Sequence, residues 1–125
     1  ARVVTEDVRW PRPRVPAMLE QISEIAARHG VRTATVAHAG DGNLHPTAVL
    51  DPSDEKAIHR ARAAFDEIFA RAIELDGTIT GEHGVGMVKL RYLERQLGSD
   101  HMALLRRIKR AFDPNGILNP GKLGS

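Results

Sequence analysis

The chain has no cysteine among its 125 residues. Disulfides and thiolate metal sites are therefore excluded, and a cytoplasmic setting is favoured. Aromatic residues make up only 4% of the chain, which leaves few stacking platforms for single-stranded nucleic acid. No apolar run approaches the roughly 18–20 residues of a membrane span, and the first residues, Ala1 to Asp7, do not form the apolar stretch of a signal peptide. Charge of either sign is not concentrated: the net value is +2, and no block of five like charges occurs. The densest basic stretch, Arg106, Arg107, Lys109 and Arg110, has helical spacing and reads as a solvated helix face, so no nucleic-acid partner is expected. No Met opens the chain, as expected of a fragment or a processed protein.

What remains is an ordinary globular composition, 42% hydrophobic and 27% charged, at a length expected to form one domain with a core of its own. Residues 1–10 read as a short strand stopped by Pro11, Pro13 and Pro16. Residues 16–29 read as a helix with Leu19, Ile22, Ile25, Ala26 and His29 as its apolar stripe, ended by Gly30. Residues 31–38 and 44–50 read as two strands joined by a turn at 39–43, which predicts a hairpin. Asp51-Pro52-Ser53-Asp54 is a helix start, and Ile58, Ala61, Phe65, Ile68, Ala72 and Leu75 mark the stripe that follows. Residues 78–80 read as a short strand, 87–97 and 99–112 as helices, and 113–125 as an extended tail. The order predicts an α+β layer: a mostly antiparallel sheet with helices on one face, in the ferredoxin-like pattern.

Two short segments carry chemistry. In His38-Ala-Gly-Asp-Gly-Asn-Leu-His45 two histidines flank the hairpin turn. In a symmetric loop they face each other with Cβ atoms about 4.5–5.5 Å apart, close enough to share a divalent metal. Asp41 or Asn43 could then fix a histidine tautomer. The bland alternative is a pair of polar strand ends. In Gly81-Glu-His-Gly-Val-Gly86 a carboxylate and an imidazole sit next to each other among glycines. Neighbouring side chains of a regular strand point to opposite faces, which divides the labour: Glu82 toward a metal, His83 elsewhere as a base. Two histidines and one carboxylate form a three-ligand catalytic set with an open position. The glycine spacing does not fit a dinucleotide fingerprint. The alternative here is a glycine-rich turn with incidental charges.

These two motifs, with the tail Phe112-Asp-Pro-Asn-Gly-Ile-Leu-Asn-Pro-Gly-Lys122, resemble the C-terminal domain of FAD-linked oxidases. That family includes the glycolate oxidase catalytic subunit, D-lactate dehydrogenases and D-2-hydroxyglutarate dehydrogenase. The resemblance runs from about Glu6 to Lys122. It implies that His38, His45 and Glu82 hold a divalent metal, zinc by preference, and that His83 is the catalytic base. It also implies that Asn43 lines the substrate pocket and that Asn119 lies near the flavin. The expected reaction is oxidation of a 2-hydroxyacid, such as glycolate or D-lactate, to the 2-oxo acid. The expected division is a part of the substrate-binding cap at 1–112 and a tail at 113–125 that returns to an FAD-binding domain. FAD would be bound mainly by that domain, without which the chain should be inactive. Arg12 and Arg14 are candidates for adding charge to the pocket. Peripheral membrane association and homo-oligomers remain open for the full enzyme, as do the electron acceptor and the particular acid. Two rivals stand beside this reading. One is a stand-alone metal-dependent hydrolase or lyase using the same His/His/Glu set. The other is a non-catalytic module binding through the 106–110 basic face.

Overall fold

The computed structural model describes residues 2–122. The chain groups into two compact units, 1–83 and 84–125.

The first unit is built on an antiparallel sheet. Strands β1 (Arg2–Thr5) and β2 (Val8–Arg9) both pair with the long strand β4 (Asn43–Leu50), and β3 (Thr33–His38) pairs with its other edge. The expected single strand at 1–10 is thus two, interrupted at Glu6 and Asp7, where Asp7 turns its side chain into the interior with 0% exposure. The expected strand at 78–80 reduces to one bridge, Arg9 to Thr78, with Thr78 N–H donating to Arg9 O at 2.7 Å and Arg9 N–H to Thr78 O at 3.1 Å. Beyond Thr78 the chain bends around Asp7 instead of continuing along β2. With that bridge on the outer edge, the lateral order is the split βαβ order of a ferredoxin-like sheet.

Helices α1 (Val15–Arg28) and α2 (Glu55–Glu74) pack on each other and on the sheet. A short 3-10 turn at Arg12–Arg14 leads into α1. The interior is made by Met18, Ile22, Ile25 and Ala26 of α1, by Ala61, Phe65, Ile68, Phe69 and Ala72 of α2, and by Val8, Leu44 and Ala48 of the sheet. Met18 takes the inner place expected for Leu19, and Leu75, just past the end of α2, is half-buried. Asp54 is the cap of α2, its carboxylate accepting from Ala57 N–H at 2.9 Å. The C-terminal end of α1 is tied to α2 by Glu67, which accepts from Arg28 and pairs with His29 Nε2 at 2.8 Å. The hydrogen bond from His29 chiefly, with Arg28 adding to it against partial burial, holds the Glu67 carboxyl below its ordinary range.

The second unit has α3 (Leu90–Leu97) and α4 (Ser99–Phe112) packed together through a break at Gly98. Helix α3 begins at Leu90 and not at 87: no side chain caps its start, and helical pairing is established only where the Leu90, Leu93 and Leu97 stripe begins. The tail is not merely extended. Asp113 accepts from the N–H groups of Ile117 at 3.0 Å and Leu118 at 2.9 Å and pairs with Lys109, which also donates to Leu118 O. Lys109 is therefore turned toward the tail, so the basic stretch of α4 is not one continuous solvated face. No helix among the described residues is long and apolar enough to cross a membrane.

Two expectations follow. Ile68→Ala, at a position with 0% exposure, should destabilise the first unit by roughly 2–5 kcal/mol in chemical denaturation, while Val36→Ala, on an exposed site, should stay within about 0.5 kcal/mol. The Asp113 carboxyl is held below its ordinary value, first by Lys109 and then by the Leu118 and Ile117 amides, against the effect of burial. A depressed folded value means that the tail contact is fully present above about pH 3.9, the unfolded carboxylate value, and is lost as pH falls through the folded one. The Ile117 and Leu118 amide resonances should accordingly keep their positions from neutral pH down to about 4 and move only below it.

Candidate metal and acid–base site

The hairpin register corrects one expectation. His38 pairs with Asn43, and His45 with Val36, so the histidines are not directly opposite each other. The loop is Ala39 to Gly42, closed by Asp41 N–H on His38 O at 2.9 Å, and it leaves His45 two residues along the strand from the partner of His38. Residues two apart share a face. His38, Asn43 and His45 therefore lie together, on the face opposite the Leu44, Ala48 and Leu50 positions that enter the core. The imidazoles meet edge to face with centroids 5.3 Å apart. The loop is held down by β2: Trp10 N–H donates to Gly42 O at 2.9 Å, and a Cβ at 42 would stand 2.0 Å from Trp10 O. Only glycine fits there.

The Gly81 to His83 segment reaches the same place from the other side. Asp7, at the interruption between β1 and β2, accepts three consecutive backbone N–H groups on one oxygen. The distances to Oδ2 are 2.6 Å from Gly81, 2.6 Å from Glu82 and 2.9 Å from His83. Thr80 Oγ1 donates to the same carboxylate at 3.0–3.1 Å. Successive N–H groups converging on an anion form a backbone nest. Wrapped this way, the segment abandons strand alternation. Glu82 and His83 both face the hairpin, where a regular strand would have sent them apart. Glu82 Oε1 stands 3.1 Å from His45 Nε2 and 3.7 Å from His38 Nε2. His83 stacks on His45 with centroids 5.2 Å apart and planes 26° apart, and its Nδ1 faces Asp7 Oδ1 at 3.7 Å.

Three donors thus converge: two imidazole nitrogens and a carboxylate oxygen, all within 4.8 Å of one another. A tetrahedral zinc ion with bonds of about 2.0–2.1 Å holds its ligand atoms about 3.3 Å apart, so the set fits such an ion with small side-chain adjustments. His45 is largely buried, while His38, Glu82 and His83 are about half exposed. The site therefore has one anchored ligand and an open side.

Asn43 supports this set from below. Its Nδ2 donates to Glu82 Oε1 at 3.3 Å, while its buried Oδ1 has no partner among the described residues. It occupies the space over Gly81, where a Cβ would meet Oδ1 at 2.1 Å. Asn119 belongs to the second unit; it has a left-handed φ of 47° and lines a cavity with Phe112, Leu118 and Lys122. Arg14 lies 4.0 Å from Asp76, and both side chains are largely exposed. Asp7 and the Gly81–Asn43 contact were not anticipated from sequence. The available signal for Asp7 was an acidic residue between Val4 and Val8 in a stretch that otherwise reads as strand.

The first unit is thus an α+β layer that gathers a His/His/Glu set and a neighbouring histidine on one sheet face. Residues 1–123 match the family described as FAD linked oxidases, C-terminal domain, and the chain belongs to that family. Among curated proteins it is 48% identical over 120 residues to the glycolate oxidase subunit GlcD of Bacillus subtilis, covering 96% of this chain and 26% of that protein. It is 39% identical to the Escherichia coli K12 glycolate oxidase subunit GlcD (90% of this chain, 22% of that protein). To the mitochondrial D-lactate dehydrogenase [cytochrome] of Arabidopsis thaliana it is 38% identical (94% and 21%). The chain spans about a quarter of the length of these relatives.

Gly81→Ala is expected to drive the Asn43 amide off Glu82, seen as a shift of the Asn43 side-chain amide resonances together with a lower thermal midpoint. Unmoved Asn43 resonances would show that the two residues are not in contact.

Proposed function

We propose that this chain is the substrate-handling part of an FAD-dependent oxidoreductase that converts a 2-hydroxyacid to the 2-oxo acid. In this proposal His38, His45 and Glu82 hold a divalent metal, zinc by preference, and His83 is the general base. The observation that carries it is the convergence of the three donors with His83 stacked on one of them. The family supports it, and so do the relatives, whose names specify glycolate oxidase and D-lactate dehydrogenase, both acting on 2-hydroxyacids.

Oxidation of such an acid removes the hydroxyl proton and the α-hydrogen with its electron pair. When bound, zinc supplies a Lewis acid for the substrate's hydroxyl and carboxylate oxygens, and FAD supplies the acceptor of the hydride. This chain's residues do the rest. His83 takes the hydroxyl proton, a role suited to an imidazole near neutral pH. Glu82, steadied by Asn43, keeps its carboxylate on the two histidines. Asn43 lines the pocket floor, and Asn119 is assigned to the flavin side through the tail. The tail supports a docking role: Phe112, Ile117 and Leu118 are exposed apolar side chains, Phe112 at 82%. We place most of the FAD contacts in segments outside these residues, and expect no turnover from this chain alone. Nothing in the geometry favours a stand-alone hydrolase or lyase over this reading: the same donors would serve it, but the whole chain falls in a family of FAD-linked oxidases.

Elemental analysis of the purified chain should find about one zinc per chain, lost in His38→Ala and Glu82→Ala. Full metal content in either variant would remove that residue from the ligand set. In the complete enzyme His83→Ala should lower kcat by roughly 10²–10⁴-fold, the usual contribution of a general base. Turnover near that of the unmodified enzyme would mean that another group takes the proton.

A further inference from the structure

We infer that Asp7 is a positioning residue for both working side chains of the 82–83 pair: it sets the direction of Glu82 and fixes the tautomer of His83. The Glu82 half of this inference rests on the metal reading proposed above; the His83 half stands without it.

The burial of Asp7 is complete, and a buried carboxylate persists only where donors compensate it. Those donors include the N–H groups of Gly81, Glu82 and His83 and the hydroxyl of Thr80. Pinning three successive N–H groups to one oxygen sets the backbone of the segment and thereby the direction in which each side chain leaves it. The absent side chain of Gly81 is part of the same arrangement, since the space is taken by Asn43, the donor to Glu82. One carboxylate thus governs both the bend and the approach of Glu82 to His38 and His45.

Its second oxygen faces His83. The 3.7 Å from Asp7 Oδ1 to His83 Nδ1 is longer than a hydrogen bond but short for a charge in a buried setting. A neutral imidazole with its lone pair at Nδ1 would aim that lone pair at a carboxylate oxygen, whereas one with its proton at Nδ1 would be attracted. The geometry therefore selects the Nδ1–H tautomer and leaves Nε2 as the proton-accepting atom. Which ring nitrogen carries the proton is set by the partner of the other one. Asp7 touches none of the reacting atoms in this scheme; it acts through His83 and Glu82.

The test uses the chain without metal and with zinc alone. Long-range proton–nitrogen correlation spectra, recorded at a pH above which the His83 ring signals no longer change, report the tautomer of His83. The unmodified chain should show Nδ1–H, and Asp7→Asn should move the population toward Nε2–H, with amide resonances away from residue 7 and from 80–83 unchanged. A predominantly Nε2–H His83 in the unmodified chain overturns the inference, whether or not Asp7→Asn folds. An identical tautomer in both overturns it as well. Zinc titration should give binding roughly 10–100-fold weaker for Asp7→Asn, the usual effect of losing an outer partner of a ligand. Equal zinc affinity in the two chains would refute the Glu82 half while leaving the metal reading intact. If neither chain binds zinc, the metal reading and the Glu82 half fall together, and the tautomer shift still decides the His83 half.

Discussion

The arrangement of this site hangs on a carboxylate that the solvent does not reach. Asp7 sits where the first strand breaks, and its Oδ2 gathers the N–H groups of Gly81, Glu82 and His83. Charge-assisted hydrogen bonds are worth about 1.5–3 kcal/mol each, and leaving buried donors unpaired costs about 1–3 kcal/mol apiece. The two segments are therefore coupled strongly although 74 to 76 residues separate them along the chain. That anchor bends 80–83 away from strand geometry. The Arg9–Thr78 bridge delivers the chain to the spot, but a bridge alone would let it run on, with Glu82 and His83 on opposite faces.

The two walls of the site are rigid for different reasons. The hairpin wall is rigid because β4 is the central strand, paired on both edges, and because its loop is locked by the Trp10–Gly42 contact. The 80–83 wall has no such ladder and relies on a polar anchor. The proposed ligand set, two members from a sheet and one from an anchored loop, would combine fixed and adjustable parts. His45, mostly buried, is the fixed reference; Glu82, half exposed and steadied by one amide, can adapt. In the proposed metal site this would suit the exchange of an oxygen ligand.

Much of this was legible in the sequence. The stripes of α1 and α2 predicted the core because Ile22, Ile25, Phe65, Ile68 and Ala72 recur at the helical period and each is buried. The candidate ligands stood out because histidine and glutamate among glycines have no easy role in packing. The register of the hairpin was not legible, since a symmetric turn and the observed Ala39–Gly42 loop differ by where the ladder ends, and composition does not fix that. The interruption of the first strand was hidden as well. Glu6 and Asp7 read as the polar members of an edge strand, and only the partner segment, far away in sequence, explains why one of them is inside. Local patterns report local structure; a buried charge is explained by whatever reaches it.

The same device recurs on a smaller scale. Asp113 accepts from two backbone N–H groups of the tail and pairs with Lys109, much as Asp7 accepts from three. Both acids stand at the end of a regular element, and both turn an irregular segment into a defined one. The difference lies in the charge balance. Asp113 has an ammonium group against it, so the tail is fastened as a neutral unit and its apolar residues can be presented outward without a competing field. Asp7 is met by N–H dipoles, by a hydroxyl and by the imidazole of His83 at 3.7 Å. Among these contacts the imidazole is the group to which the proposed chemistry assigns the proton. That contact gives His83 an electrostatic reason to keep its proton on Nδ1.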